Sequence, residues 1–353
     1  MAPRSFLLAP LVLAAILALG CGSGGDDETP ASPLLAIDSR AGANLTVAAA
    51  GDFGMEPESI ATFRAMRAAA PDAYLGLGDF SYAGPRSEQE FCDLVRSKIG
   101  DKPPFEIVSG NHEEDTGEDG RIERFAACLP DALGAVGDYG RQYYFDVGDR
   151  ARFIMISPDL TIDGEHYYYG ANDGGGDTPA LRWLKDAIDG AREAGIDWVV
   201  VGMHKSCLST GLYYCDVHQD LLSALLDKRV DLVLSAHDHT YQRSKQLAAP
   251  RPGCRELAVE EFDGDCVVGE GSAYSKGAGT VFVISGVAGG EALYPVFDDD
   301  PEAGYFEATM GRTSPGARQG FALLTISTDR LEGRFVGSTP GSFRDRFEIV
   351  ADG

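Results

Sequence analysis

Basic residues are scarce: 30 Lys and Arg stand against 55 Asp and Glu, which leaves a net charge of −25. That balance argues against a nucleic-acid partner, because binding a polyanion draws on dense positive charge to release phosphate counterions. A small phosphate ester stays open, since bound cations create a local positive field inside an acidic surface. No apolar run reaches the roughly 20 residues of a membrane-spanning helix, and the N-terminal one, Phe6 to Leu19, is shorter. No C-x-x-C pair is present, which argues against a zinc-binding cysteine cluster. There is no internal repeat. With 44% hydrophobic and 24% charged residues, the chain has the composition of a folded protein with disorder confined to its ends.

Arg4, the apolar run and the small Gly20 before Cys21 together read as an export signal. Ala18-Leu19-Gly20-Cys21 resembles a bacterial lipobox, in which the cysteine after the cut is lipidated and tethers the protein to a membrane. Ordinary signal-peptide cleavage is the alternative, because Ala18 stands where a larger aliphatic residue is usual. The expected organisation is a leader over 1–21, a Gly/Ser/Asp/Pro-rich tether within 22–43, and one catalytic domain over 44–353. Setting Cys21 aside leaves six of seven cysteines, an even number suited to an oxidising compartment. Their order groups them as Cys92 with Cys128, Cys207 with Cys215 and Cys254 with Cys266, one of the fifteen pairings that six cysteines allow.

From Asn44 onward short apolar runs alternate with helical patterns, as in a layered α/β protein. Strands are expected at 44–50, 73–77, 105–108, 142–147, 152–157, 198–201 and 232–234, and helices at 57–69, 88–99, 179–194 and 217–227. Beyond residue 240 the pattern is β only, at 281–285, 321–327, 331–336 and 347–350, with 253–279 read as an irregular insertion.

The chemistry lies at the ends of the strands. Continuous apolar runs, expected to be buried on both faces, stop abruptly in Gly51-Asp52-Phe53-Gly54, Gly78-Asp79-Phe80-Ser81-Tyr82, Gly110-Asn111-His112-Glu113, Gly202-Met203-His204 and Ala236-His237-Asp238-His239. Strands of an open α/β sheet present their carboxyl ends along one edge, where ligands bind, so these groups should converge. Each block alone is weak, because G-D-x-G is most often a turn and a lone histidine is most often structural. As a set they hold four of the chain's six histidines. Alternation along an extended segment would set His237 and His239 on one side. Mixed carboxylate, amide, phenol and imidazole donors suit two divalent or trivalent first-row metal ions, and the neighbouring glycines leave room for sharp turns and for ligands.

These five blocks, in this order, resemble the metallophosphoesterases and, within them, the purple acid phosphatases. The resemblance runs from about Leu45 to Arg243, and Gly54 and Tyr82 set it apart from the family's nucleases and 5′-nucleotidases. It implies a four-layer α/β/β/α sandwich with two mixed β-sheets, without the large N-terminal β domain of plant members. It implies that Asp52, Tyr82 and His239 hold Fe(III), that Asn111, His204 and His237 hold Fe(II), Zn(II) or Mn(II), and that Asp79 bridges the two through its two carboxylate oxygens. The implied activity is hydrolysis of a small phosphomonoester by a metal-bound hydroxide, with His112 protonating the leaving group and an optimum below neutral pH. A phosphodiesterase on the same ions is the alternative, as is a non-catalytic phosphate- or metal-binding surface lipoprotein.

The family usually carries a further histidine after the position of His204, where this chain has Tyr213 and Tyr214; His166 or His218 are candidates to replace it. Glu113 and Asp238 are placed to orient ligands by hydrogen bonds. Lys205, Tyr241 and Arg243 flank the blocks and are candidates either for phosphate contact or for structural roles. Tyr167-Tyr168-Tyr169 is assigned no role. Oligomeric state is not legible.

Overall fold

In the first strand, Leu45–Ala50, Val47 and Ala49 join one apolar cluster with Leu75, Phe145, Val200 and Leu324, whereas Ala48 and Ala50 join another with Phe63 and Met66. Successive side chains of a strand point to opposite faces, so this strand is buried on both. Val200 and Val201, Val233 and Leu234, and Phe282 and Val283 divide in the same way. The computed structural model describes residues 44–82, 88–100, 103–129 and 133–351; the expected leader with its lipobox Cys21, and the tether 22–43, lie outside the described residues.

The two buried faces belong to two mixed sheets. One runs Ala273–Ser275, Arg346–Val350, Arg330–Gly337, Gly320–Ile326, Leu45–Ala50, Ala73–Gly76, Phe105–Ile107, with the last three parallel. The other runs Phe306–Met310, Tyr241–Ser244, Val281–Ser285, Leu232–Ser235, Trp198–Met203, Ala151–Ile156, Gln142–Val147, Val136–Asp138, with its central four parallel. Ser285 ties the sheets together where the first strand ends: its carbonyl accepts from the Gly51 N–H at 3.0 Å and its hydroxyl donates to the Ala49 carbonyl at 3.1 Å.

Helices cover the outer faces. Pro57–Ala69 opens with proline, whose fixed φ suits a first helical position, and buries Ser59, Thr62, Phe63 and Met66, a spacing that makes one face. It packs on Gly320–Ile326 and Arg330–Gly337. Pro179–Glu193 begins at Thr178, whose side chain accepts from the Leu181 N–H, and turns Leu181, Leu184, Ile188 and Ala191 inward against Ala151–Ile156. Each such leucine or isoleucine contributes about 1.5–3 kcal/mol by leaving water. The result is the expected four-layer α/β/β/α sandwich, with every long strand expected from the sequence present to within three residues at either end.

The structure adds elements the pattern did not show. Helix Ile122–Cys128 and the edge strands Val136–Asp138 and Phe306–Met310 are too short for a periodic signal. The stretch 253–279 is not wholly irregular: Val267–Gly269 pairs with Gln246–Leu247, and Ala273–Ser275 extends the seven-stranded sheet. The three disulfides are Cys92–Cys128, Cys207–Cys215 and Cys254–Cys266.

Strand Tyr241–Ser244 settles two of the flanking candidates. Arg243 grips Asp345 with Nε at 2.7 Å and Nη2 at 2.8 Å, while the Tyr241 hydroxyl donates to the same carboxylate at 2.9 Å. All three groups are buried or nearly so, and the pair serves the packing of the sheets rather than a phosphate. Asp345→Ala strands a buried guanidinium and is expected to cost about 3–5 kcal/mol, read as a lower urea midpoint with an unchanged far-UV spectrum before unfolding.

Candidate metal centre

Where the apolar strands stop, the backbone bends out of the extended region. Asp52 (φ 63°), Asp79 (54°), Tyr82 (41°) and His237 (67°) all adopt left-handed conformations, which cost a non-glycine residue roughly 1–2 kcal/mol each. Such strain persists only where surrounding contacts over-determine it. Here Glu113 does so. Its buried carboxylate accepts from the N–H groups of Asp79 (2.9 Å), Phe80 (2.8 Å) and Gly110 (2.9 Å). Asp52 plays the same part across the sheets, accepting from the His237 N–H at 3.0 Å. Gly110 lies so close that a β-carbon there would meet Asp79 Oδ1 at 2.0 Å.

These bends gather the seven expected ligands into two sets. In the first, Tyr82 Oη lies 2.7 Å from Asp52 Oδ1, 3.1 Å from Asp79 Oδ2 and 3.0 Å from His239 Nε2, and His239 Nε2 lies 3.2 Å from Asp52 Oδ1. In the second, His204 Nε2 lies 3.1 Å from Asn111 Oδ1, from His237 Nδ1 and from Asp79 Oδ2. Asp79 Oδ2 belongs to both. The other oxygen, Oδ1, accepts the His112 N–H at 3.0 Å, so one oxygen faces both sets where the sequence reading assigned one to each. A second correction concerns His237 and His239. The segment is bent, not extended, and presents Nδ1 of His237 to one set and Nε2 of His239 to the other.

The electrostatics fit cations. Burial raises Asp52 and Asp79, yet His239 and His204 outweigh it and hold both carboxyls below their usual range. Burial, then Asp52 and Asp79, push the Tyr82 phenol well above its ordinary value. Burial lowers His204, but Asp79 outweighs it and lifts the imidazole to about 9. Lone pairs from carboxylate, imidazole, phenol and amide thus crowd within about 3 Å of one another. First-row metal ions match this mixed oxygen and nitrogen set, and the seven residues fit two of them.

Around the sets stand groups that orient or cover them. His204 donates Nδ1–H to the Leu77 carbonyl at 2.8 Å, and His237 Nε2 meets Asp216 Oδ2 at 3.1 Å, the oriented imidazoles expected of ligands. His112 is half-exposed, with Nδ1 on Asp119 Oδ2 at 2.5 Å and Nε2 3.7 Å from Asp79 Oδ2. Tyr213 stacks on His237 at 4.0 Å and Tyr294 on His239 at 4.1 Å. A β-carbon on Gly290 would strike the Tyr82 ring at 2.4 Å. Of these, Asp119, Asp216, Tyr294 and Gly290 were not named from the sequence, and only the Gly-Gly pair at 289–290 has a local signal, that of a turn.

The two substitute histidines sit elsewhere. His166 pairs with Asp159 at 3.0 Å, and His218 caps its own helix by accepting from the Asp220 N–H at 3.2 Å; their rings flank Tyr168. Lys205 donates to the Asp159 carbonyl at 3.2 Å. Asp238 points away from the two sets and accepts from Ser209 Oγ at 2.6 Å, whereas Glu113 holds backbone rather than a side chain.

A family model described as calcineurin-like phosphoesterase matches residues 45–241. The chain is 30% identical over 241 residues to an uncharacterized protein of Mycobacterium tuberculosis, a match covering 64% of this chain and 43% of that one. It is 24% identical over 241 residues to purple acid phosphatase 21 of Arabidopsis thaliana, covering 64% and 50%. Among solved structures, the purple acid phosphatase PPD1 from yellow lupin (Lupinus luteus) seeds shares the fold, with a TM-score of 0.66 at 18% identity over 88% of this chain and 54% of that one. The chain spans about half the length of the curated relatives it matches.

Glu113→Ala strands three buried N–H donors at the bends that aim Asp79 and Asn111. Each costs about 1–3 kcal/mol, so the unfolding free energy in urea is expected to fall by at least about 3 kcal/mol.

Proposed function

We propose that this chain, which belongs to the calcineurin-like phosphoesterase family and is similar within it to purple acid phosphatases, hydrolyses phosphomonoesters on two metal ions. The observation that carries the reading is Asp79 Oδ2, one buried oxygen shared by two complete donor sets. Asp52, Tyr82, Asp79 and His239 would hold Fe(III), for which an anionic phenolate is a suitable ligand. Asp79, Asn111, His204 and His237 would hold Fe(II), Zn(II) or Mn(II). Two ions so placed supply Lewis acidity, lowering the pKa of water from 15.7 toward about 7 and neutralising charge on the phosphoryl oxygens.

The chain's own residues supply the proton. His112 turns Nε2 toward Asp79 while Asp119 fixes its Nδ1, so the free nitrogen faces the place where the leaving oxygen would sit. Burial lowers the His112 pKa, but Asp79 and the Asp119 hydrogen bond outweigh it and raise the imidazole above its usual value, which favours the donor form. His112 is therefore the proton donor to the departing alkoxide, and Asp119 is its positioning residue.

We also place the protein outside the cytoplasm, secreted or held by a lipidated Cys21. Support comes from the N-terminal apolar run ending at Gly20-Cys21 and from three disulfides, which persist in oxidising compartments.

The purified protein is expected to contain two metal ions per chain and to turn over p-nitrophenyl phosphate faster than bis(p-nitrophenyl) phosphate. Faster cleavage of the diester would replace the monoesterase reading with a phosphodiesterase, and bound metal without turnover of either would leave a binding protein. Tyr82→Phe should abolish a visible tyrosinate-to-iron absorption band. A colourless wild type would point to zinc or manganese instead. His112→Ala is expected to lower kcat by about 10²–10⁴. Because Asp119 raises the His112 pKa, Asp119→Asn should move the alkaline limb of the pH–rate profile to lower pH.

A further inference from the structure

The segment 207–215 is held more firmly than its lack of helix or strand requires. Cys207–Cys215 closes it. Ser209 donates its N–H to Glu302 at 3.0 Å and its hydroxyl to Asp238 at 2.6 Å, and the Thr210 N–H donates to Gln242 at 2.8 Å. A β-carbon on Gly211 would sit 2.0 Å from Asp238 Oδ2, so the loop closes tightly over that carboxylate. The residue between the two metal-set histidines therefore serves as the cradle of a neighbouring loop.

What this loop presents is apolar. Five large hydrophobic side chains are exposed among the described residues, and two of them, Leu212 (46%) and Tyr214 (70%), are on the loop. A third, Phe297 (40%), belongs to a residue whose N–H donates to the Thr210 carbonyl at 2.8 Å. Between Leu212 and Tyr214, Tyr213 turns inward and stacks on His237, whose Nδ1 joins the second donor set. Through Tyr213 the loop abuts the second donor set. Two carboxylates stand close by, Asp216 on His237 Nε2 and Glu291 accepting from the Tyr294 hydroxyl at 3.3 Å. A second anionic group on a substrate would be repelled there, whereas an apolar surface rimmed by polar groups marks a binding site.

We propose that the disulfide-closed loop 207–215, with Phe297, is the specificity wall of the phosphatase site and takes the alcohol half of the substrate, selecting phosphomonoesters of aromatic or apolar alcohols. This rests on the phosphomonoesterase reading above and adds the substrate class to it. A prefixed aromatic wall loses little conformational freedom on binding, so its contacts appear in affinity rather than being spent on ordering the loop.

The test is the ratio of kcat/KM for phenyl phosphate over glycerol 2-phosphate, measured on the metal-loaded enzyme. The wild type is expected to favour the phenyl ester by ~10-fold or more, within the 10–200-fold range that small apolar contacts confer. The double variant L212S/Y214S changes exposed side chains only, and it should lower that ratio by ~10-fold, chiefly through KM. Turnover of both esters at equal kcat/KM, or a ratio unmoved in the variant, would overturn this inference and leave the phosphatase reading intact. No turnover of either ester would overturn both.

Discussion

One buried oxygen organises this molecule. Asp79 Oδ2 lies 3.1 Å from the phenol of one donor set and 3.1 Å from an imidazole of the other, and so joins the two. Placing a carboxylate there is unfavourable in every local respect. Its backbone is left-handed, its side chain is buried, and a second carboxylate lies nearby. The surroundings offset each of these. Glu113 collects the N–H groups that the bend frees, Gly110 leaves space for Oδ1, and the imidazoles of His204 and His112 supply the positive partners that hold the group ionised.

The architecture explains why the strain collects at this place. The central strands of both sheets are buried on two faces, and the polar groups of the two donor sets gather where those strands end. Three strands of one sheet and two of the other end at the same edge, and Ser285 fastens the sheets to each other there. The donor sets therefore span the seam between the sheets. Asp52, Asp79, Tyr82 and Asn111 come from one side of it and the three histidines from the other. A rigid seam suits a site whose ligands must hold their spacing to fractions of an ångström.

Around that rigid centre, variation is carried by loops. The segment that follows His204 carries Tyr213, whose ring stacks on His237. Asp238 links the two levels, since its backbone lies between the metal-set histidines while its carboxylate secures the loop. Disulfides support the same division of labour. Cys207–Cys215 secures the loop beside the centre, and Cys92–Cys128 joins helix Glu88–Ile99 to Ile122–Cys128.

The sequence by itself determined the layered α/β class, the long strands and the five polar blocks, while the cysteine pairs, one grouping among fifteen, were decided by the structure. These are legible because an apolar run ending in Gly-Asp or His-x-His is written in consecutive residues. What lay between distant residues was decided only by the tertiary structure. Asp119 reaches His112, Asp216 reaches His237 and Tyr294 covers His239, none with a spacing that a helix or strand would show. Strand Tyr241–Ser244 was hidden because it starts two residues after a bend in the His-Asp-His block, and Arg243 was ambiguous until Asp345 was seen to pair with it. Even the division of Asp79, with one oxygen inward and one on a backbone N–H, needed three-dimensional packing: sequence specifies which donor atoms exist, and only the closing of two sheets specifies where their lone pairs meet.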